Sequence, residues 1–495
     1  MLEEIRESRI KKLASLKQKG VEPYPERVSF KIEEVSEISK NFKKLASSKK
    51  AVGIAGRIMG RREHGGSMFL DIFDGSNGLT TSGSGKLQIF MGRDKIGEES
   101  FSLLRDHIDI GDFIAVSGKP FYTKRNEPTI EVSKWELLAK SLRPLPEKWH
   151  GLSDIEERFR KRYLDILMNP EVRERFLLRS KIISALRKFL DTDGFIEVET
   201  PILQTIAGGA SARPFKTHHN ALDTDLYLRI ATELHLKELL IAGMQKVYEI
   251  GRIFRNEGID MTHNPEFTSV ELYMAYKNDE DMMHCIENLF SSLIKTIFKK
   301  NKIIFEEREI AFRAPFKKIT FLEALERHAL VTDYHKKTRE DFLMIAQRFG
   351  INPEKHESKD KIADKIFAKM CRPKFLDPTF VTHYPANLIP LAKRSSKNLN
   401  ISLAFQLVVG GVEIAKAFNE LNDPIDQRER FKKESELAQK GDIEAQPLDE
   451  EFIEAMEYGM PPAAGAGIGI DRLVMLLTNT TNIKEVILFP TMKPK

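Results

Sequence analysis

Residues 254–273 read Phe-Arg-Asn-Glu-Gly-Ile-Asp-Met-Thr-His-Asn-Pro-Glu-Phe-Thr-Ser-Val-Glu-Leu-Tyr, with an arginine and a glutamate at one end, a histidine in the middle and Phe, Glu and Tyr beyond. The surrounding text, KVYEIGRIFRNEG and PEFTSVELYMAY, predicts two strands joined by a loop over 258–264. Alternate residues of a strand share a face, so Phe267, Ser269, Glu271 and Tyr273 point one way, and Arg255 points with Ile253, Gly251 and Glu249. Antiparallel pairing then assembles Arg255, Phe267, Glu271 and Tyr273 into one pocket floor. A hairpin with only a structural role rarely lines its buried side this way, because unpaired buried charge is expensive. A second segment, 465–472, reads Gly-Ala-Gly-Ile-Gly-Ile-Asp-Arg. Its Gly465, Gly467 and Gly469 leave one strand face without side chains, so a flat ring or a sugar can approach the backbone. Arg472, at the start of the helix that follows, can reach a phosphate. The glycine spacing imitates a dinucleotide fingerprint, but too little chain follows to complete a βαβ unit.

These residues need elements to position them, and 495 residues is more than one core usually supports, so two or three domains are expected. A hydrophobic fraction of 41% with 31% charged residues is ordinary for a soluble globular protein. No apolar run is long enough to span a membrane, and MLEEIRESRIKKLASLKQKG lacks the apolar centre of a signal peptide. Cys285 and Cys371 are too few for a disulfide framework or a Cys-rich zinc site, so a cytoplasmic location is expected. The net charge of +5, from 78 basic and 73 acidic residues, does not by itself indicate a nucleic-acid partner.

Along the chain, 2–19 predicts a helix with Leu2, Ile5, Leu13 and Leu16 on one face and Arg6, Arg9, Lys11, Lys12 and Lys17 around it. Those basic residues are either a phosphate-contacting face or a plain solvated one. Five short apolar runs follow: AVGIAGRIMG, SMFLDIFDG, KLQIFMG, DFIAVSGKPF and TIEVSKWELL. Their spacing predicts a five-stranded oligonucleotide-binding barrel, with Arg62, Phe69, Gln88, Phe90 and Glu127 as candidates for its open face. The two phenylalanines could equally be core. SNGLTTSGSG at 76–85 reads as a loop, KSLRPLPEKWHGLSD as a linker, and Ser153 with Glu156 as a capping box. The expected organisation is a helical extension over 1–48, the barrel over 49–142, a linker over 143–165 and an α+β unit over 166–495. Helical periodicity marks an insertion at 320–378. His218-His219 has no third ligand nearby in sequence, so no metal is expected there.

Taken with LRPLPEKWHGLSDIEERFRKRYLDIL, VETPILQTIAGGASARPFKTHHNALD, YLRIATELHLKELL and FNELNDPIDQRERF, the two opening segments resemble the class II lysyl-tRNA synthetases of bacterial type. The likeness covers residues 50–495. Segments 254–273 and 465–472 look like that family's motifs 2 and 3, and DGFIEVETPILQT like motif 1, which contributes to its dimer interface. The resemblance implies an OB-fold barrel followed by a catalytic domain built on an antiparallel β-sheet flanked by helices. It implies a lysine–tRNA ligase: ATP activates L-lysine to lysyl-adenylate, and lysine passes to the 3'-terminal adenosine of tRNA(Lys). A homodimer and Mg²⁺ are implied as well.

Carried over residue by residue, the family pattern assigns Gly208 and Glu233 to the lysine α-amino group and Arg255 to its carboxylate. Glu271, Tyr273 and Glu420 would surround the side-chain ammonium, with Phe418 against its methylenes. Arg255, Glu257, His263, Asn264, Phe267, Glu413, Gly469 and Arg472 would hold ATP, and Arg255, Arg472 and Glu413 would carry the catalysis. Glu413 would ligate magnesium with residue 406. Arg62, Phe69, Gln88 and Glu127 would meet the anticodon. Independently of the family, carboxylates and a Tyr suit an ammonium, since charge-assisted hydrogen bonds are strong and directional.

Four positions depart from the pattern. Gln406 stands where a metal-binding Glu is usual, Asn387 replaces a Glu, Lys416 replaces an Asn and Thr262 replaces an Arg. One consequence is that Lys416 supplies part of the cationic charge of a metal ion. Two other readings stay open: a ligase for aspartate or asparagine, and a tRNA-binding protein with a degenerate site.

Overall fold

The computed structural model describes residues 2–48, 50–76, 85–146, 152, 154–354, 357–439 and 447–494, with backbone only at 437–439. Most of the 76–85 loop, the centre of the expected linker and Ser153 lie outside them. The chain divides into two compact units, Met1–Leu177 and Leu178–Lys495.

In the first unit, strict alternation buries Met68, Leu70, Ile72, Leu87, Ile89 and Met91 in one core. That pattern closes β1 (Val52–His64), β2 (Ser67–Phe73), β3 (Lys86–Gly92), β4 (Phe113–Tyr122) and β5 (Pro128–Ala139) into a barrel of order β1-β2-β3-β5-β4. The five predicted runs are its five strands. Helices precede it at Leu2–Gln18, Val35–Lys40 and Phe42–Ser48. The first does not present all its basic residues to a phosphate. Arg9 is buried, donating to the carbonyls of Ile110, Ser141 and Arg143, and Lys12 pairs with Asp109 at 2.6 Å. Both side chains dock the helix on the barrel. After the barrel, helix Ile155–Arg160 is capped by Asp154, whose carboxylate accepts from Glu157 N.

In the second unit, 13 further strands follow in chain order among the described residues. They are β6 (Ile196–Glu197), β7 (Leu203–Gln204), β8 (Lys216–His219), β9 (Thr224–Leu228), β10 (Lys246–Phe254), β11 (Glu266–Ala275), β12 (Lys302–Phe305), β13 (Arg308–Ala311), β14 (Lys317–Thr320), β15 (Thr379–Pro385), β16 (Ile401–Val409), β17 (Val412–Asn419) and β18 (Ala463–Gly469). Eight form one sheet, β14-β15-β16-β17-β18-β11-β10-β6, antiparallel except at its two outermost pairs. One face packs on helices Pro170–Thr192, Asp279–Phe298 and Ile470–Leu477 through residues such as Val270, Leu272, Ala466 and Ile468. The other packs on helices Glu233–Ile241 and Phe321–Ala329, with Tyr273 and Phe418 among its buried residues. The helical segment expected at 320–378 runs between β14 and β15. The strand expected from DGFIEVETPILQT is shorter, reduced to β6 and β7, and Ile196, Ile202 and Leu203 are exposed.

Candidate active site

The two predicted strands are β10 and β11. Their register sets Glu249 opposite Glu271, Gly251 opposite Ser269 and Ile253 opposite Phe267, so Arg255 shares a face with Phe267, Glu271 and Tyr273. β18 continues the row: Ser269, Glu271 and Tyr273 lie opposite Gly469, Gly467 and Gly465. Beyond it, Gly467 lies opposite Lys416, and Lys416 opposite Gln406. Alternation from Lys416 would send Glu413 to the other face. A bulge between Ala415 and Glu413 reverses it, pairing Glu413 with Val408, two residues on from Gln406.

At Gly465 the bare backbone serves the protein itself. A Cβ there would strike Glu420 Oε1 and the Tyr273 ring, so these two side chains meet where the residue has none. The expected open cradle is therefore restricted to Gly467 and Gly469, where an added Cβ meets nothing closer than 3.8 Å.

Three carboxylates converge on Tyr273. Glu271 accepts from Tyr273 Oη at 3.3 Å and from Thr232 N at 3.4 Å. Glu420 and Glu233, the latter at the start of helix Glu233–Ile241, are both buried. Gly208 is buried against Leu234, and an added Cβ at Gly209 would lie 3.2 Å from the Glu233 Cβ. Desolvation and the Glu233 carboxylate raise Glu271 to about 7. Desolvation pushes Glu420 up too, helped by Glu233 and Glu271, while the ammonium of Lys237 pulls it back. Lys237 itself escaped the sequence reading. It lies one turn after Glu233 and is fully buried, with Nζ 2.6 Å from Glu233 Oε1 and 2.5 Å from Glu420 Oε2. Its Nζ also stands 5.6 Å from the centre of the Phe418 ring.

Next to this acidic recess the face turns basic. The Arg255 guanidinium lies 5.2 Å from the centre of the Phe267 ring, and its Nε has no hydrogen-bond partner among the described residues. Desolvation lowers its pKa, against the pull of Glu257 and Glu271. Glu413 accepts from Arg372 at 3.3 Å and has Arg472 at 3.9 Å. Burial raises Glu413, but Arg372, Arg472, Lys416 and Arg255 together hold it below the usual range. Arg372 was another residue missed in the sequence.

The loop between β10 and β11 is organised by Asp260, which accepts from Thr262 N at 2.6 Å, His263 N at 2.8 Å and His263 Nδ1 at 2.9 Å. Burial works against its charge, but these donors hold it at about 2. With Nδ1 donating to Asp260, His263 Nε2 accepts from Arg472 at 3.1 Å. Thr262 also donates its hydroxyl to Asp260, so it is part of this turn. Glu257 is exposed beside Arg255. Asn264 donates to Glu266 O, and its Oδ1 is buried without a partner among the described residues. The start of helix Ile470–Leu477, which carries Arg472, is pinned by Asp471, which accepts from Arg179 at 2.6 Å and Thr268 N at 2.7 Å.

Gln406 is buried with Oε1 unpartnered among the described residues. Asn387 is exposed and donates to Asp360. The described residues contain no group of three or more His, Cys, Asp or Glu able to hold a metal. The donors in this part of the site among the described residues include one carboxylate, Glu413, and one amide oxygen, Gln406, with the Asp364 carboxyl also within electrostatic reach of Glu413 and Lys416. That set fits magnesium, which keeps several waters and takes most of its other ligands from substrate phosphates. His218 is exposed and contacts Asp225 at 3.1 Å, an ordinary surface pairing.

On the barrel, Arg62 lies opposite Phe69, Phe69 opposite Phe90, and Asp71 opposite Gln88. The Phe69 and Phe90 rings, 5.0 Å apart, are only half-buried and stand outside the barrel core. Arg62 donates to Asp71 at 3.0 Å, Gln88 accepts from Thr129, and Glu127 is exposed just before β5.

Comparison with known proteins agrees with this architecture. The family described as tRNA synthetases class II (D, K and N) matches residues 154–493, and the OB-fold nucleic acid binding domain matches 52–138. A lysine–tRNA ligase of Carboxydothermus hydrogenoformans is 47% identical, covering 100% of this chain and 99% of its own. One from Pelotomaculum thermopropionicum is 49% identical, covering 100% and 96%. One from Aquifex aeolicus is 47% identical, covering 94% and 76%. No described helix is long and apolar enough to cross a membrane.

Proposed function

The chain belongs to the class II tRNA synthetases of the aspartate, lysine and asparagine group, and from that premise we propose that it is an ATP-dependent lysine–tRNA ligase. The supporting observation is the recess in which Glu233, Glu271 and Glu420 converge on Tyr273, with Arg255 beside Glu271 on the same sheet face. A substrate with two ammonium groups and one carboxylate complements that arrangement. Aspartate or asparagine would need a cation where this chain has anions, and a neutral analogue would leave carboxylates unpaired, at a cost of several kcal/mol.

In the reaction, the lysine carboxylate attacks the α-phosphate of ATP, pyrophosphate leaves, and the terminal ribose hydroxyl of tRNA(Lys) attacks the resulting mixed anhydride. No protein nucleophile takes part. Glu233 and Gly208 receive the α-amino group, and Glu271, Tyr273, Glu420 and Phe418 the side chain. Arg255 draws the carboxylate toward the phosphates, with Phe267 under the adenine. Arg472, oriented by His263 and Asp471, neutralises phosphate charge, and Glu257, Asn264 and Gly469 complete the nucleotide site. Alignment and charge neutralisation supply the acceleration. Mg²⁺ would be held by Glu413 and Gln406, supplying charge neutralisation at the phosphates when bound. Lys416, across the strand from Gln406, adds fixed positive charge there.

The barrel, through Arg62, Phe69, Gln88 and Glu127, reads the anticodon in this proposal, within an extension, barrel, linker and catalytic unit at 1–48, 49–142, 143–165 and 166–495. Ile196, Ile202 and Leu203, apolar and exposed, suit a homodimer contact. The paucity of cysteines suits the cytoplasm. The decisive test is ATP–pyrophosphate exchange with lysine, aspartate, asparagine or no amino acid. Exchange with lysine alone is expected. Exchange with aspartate or asparagine, or none at all, refutes the reading.

A further inference from the structure

Of the four titratable groups gathered around the acidic recess, Glu233, Glu271, Glu420 and Lys237, one has no place in the lysine-binding scheme. Lys237 is fully buried and touches the carboxylates at both ends of the proposed amino-acid site, Glu233 and Glu420. Glu and Lys one turn apart on a helix usually form a weak exposed pair. Here the pair is buried, where desolvating a charge costs several kcal/mol unless partners compensate it.

The charge count of the occupied recess shows what Lys237 does. With all three carboxyls ionised against a bound substrate, Glu233, Glu271 and Glu420 bring three negative charges and Lys237 one positive, so three minus one leaves two for the ligand to compensate. L-lysine has two ammonium groups, and its carboxylate is assigned to Arg255. The geometry matches the count. Lys237 takes one oxygen of each partner, Glu233 Oε1 and Glu420 Oε2, while Glu420 Oε1 is turned toward Tyr273 over Gly465. One oxygen of each carboxylate is thus committed to the resident ammonium, and the other is left for a ligand.

Resting on the lysine-ligase reading, we propose that Lys237 is a resident counter-ion that sets the recess to accept two ammonium groups and thereby selects a dibasic amino acid. It is a positioning residue, acting through Glu233 and Glu420. Without it, three buried carboxylates would face two substrate ammoniums, and one carboxylate would take up a proton. A protonated carboxylic acid tolerates an apolar side chain and binds an ammonium poorly. The groups that act on this balance are Glu233 from the same helix, Glu420 after β17, and Glu271 with Tyr273 from β11.

The test compares wild type with Lys237→Met, which keeps the stem and removes the charge, and Lys237→Arg, which keeps the charge. Lysine-dependent exchange gives kcat and the KM values for lysine and ATP. Competitive inhibition by L-norleucine, which is lysine without its side-chain amine, gives the preference for a charged side chain. Lys237→Met is expected to raise the lysine KM at least tenfold, to leave the ATP KM within twofold, and to narrow the lysine-over-norleucine preference at least tenfold. Lys237→Arg should restore most of that preference. An unchanged preference, a tighter lysine KM, or a loss confined to kcat overturns the proposal. Should Lys237→Met fail to fold, Lys237→Gln, with a polar head for both carboxylates, reads the same preference against the same outcomes. Wild-type protein that activates lysine alongside an unaltered Lys237→Met defeats this inference only. Wild-type protein that does not activate lysine defeats the reading beneath it as well.

Discussion

Glu271 takes its hydrogen bonds from Thr232 N and Tyr273 Oη, and desolvation with the Glu233 carboxylate raises it from 4.5 to about 7. That rise corresponds to about 3 kcal/mol of disfavoured charge. An ammonium arriving against this carboxylate stabilises its ionised form, so the bound state has the lower pKa and binding expels a proton wherever the free group holds one. Affinity for lysine therefore rises with pH through the free-site value and falls below it. At pH 6 only about one empty site in ten has Glu271 ionised, and at pH 8 about nine in ten, so lysine affinity improves about tenfold between them. Glu420, raised in the same direction, steepens the slope. Titration calorimetry in buffers of different ionisation enthalpy measures both quantities. Close to one proton should leave with each lysine bound at pH 6 on account of Glu271, and few at pH 8. Glu271→Gln should bind lysine more weakly and lose that share of the proton release and of the pH slope. Lysine affinity that is flat or falling from pH 6 to 8 in wild type, or proton release unchanged in Glu271→Gln, would refute the assignment.

Gly465→Ala inserts a methyl group into the space where Glu420 Oε1 and the Tyr273 ring meet, so lysine KM should rise about a hundredfold, with roughly 1–3 kcal/mol lost from stability in chemical denaturation. Phe69→Ala removes a half-buried ring from the outer face of the barrel. Transfer of lysine to tRNA should drop about tenfold or more in kcat/KM, as expected of one lost stacking platform, while tRNA-independent exchange stays within twofold. Gln406→Glu adds a carboxylate beside Glu413, and the free Mg²⁺ giving half-maximal exchange should fall about tenfold. An unchanged Mg²⁺ requirement would place Gln406 outside the ion's surroundings.

The β10–β11 pair was legible because a strand's period of two is strict, and charged residues on its inward positions are costly unless something partners them. The barrel was legible for the same reason: five alternating runs bury one side each. Features that depend on neighbours distant in sequence were hidden. Lys237 looks like half of a surface Glu–Lys pair, and only its burial under Phe418 and Glu420 makes it part of the site. Glu413 reaches the site face because of a bulge that apolar alternation does not announce. Arg9 reads as one more base on a charged helix, yet three backbone carbonyls bury it. The fate of Gly465 depended on which two side chains approach it.

One sheet face separates two kinds of charge. Glu233, Glu271 and Glu420 gather over the middle strands, and Arg255, Arg372, Arg472 and Lys416 surround Glu413. Arg255 belongs to both fields, since Glu271 and Glu413 each stabilise its charge while Arg472 opposes it. In the proposed site, a dibasic amino acid lying across that boundary would have its ammonium groups on the acidic side and its carboxylate at Arg255, beside the cations that would hold ATP. Reversing the molecule would set its carboxylate among three others, and like charges at such distances in a poorly solvated recess cost several kcal/mol. Orientation and selectivity then share one cause. The glycines at 467 and 469 give the boundary its access, because any side chain there would project from the same face as Glu271 and Ser269.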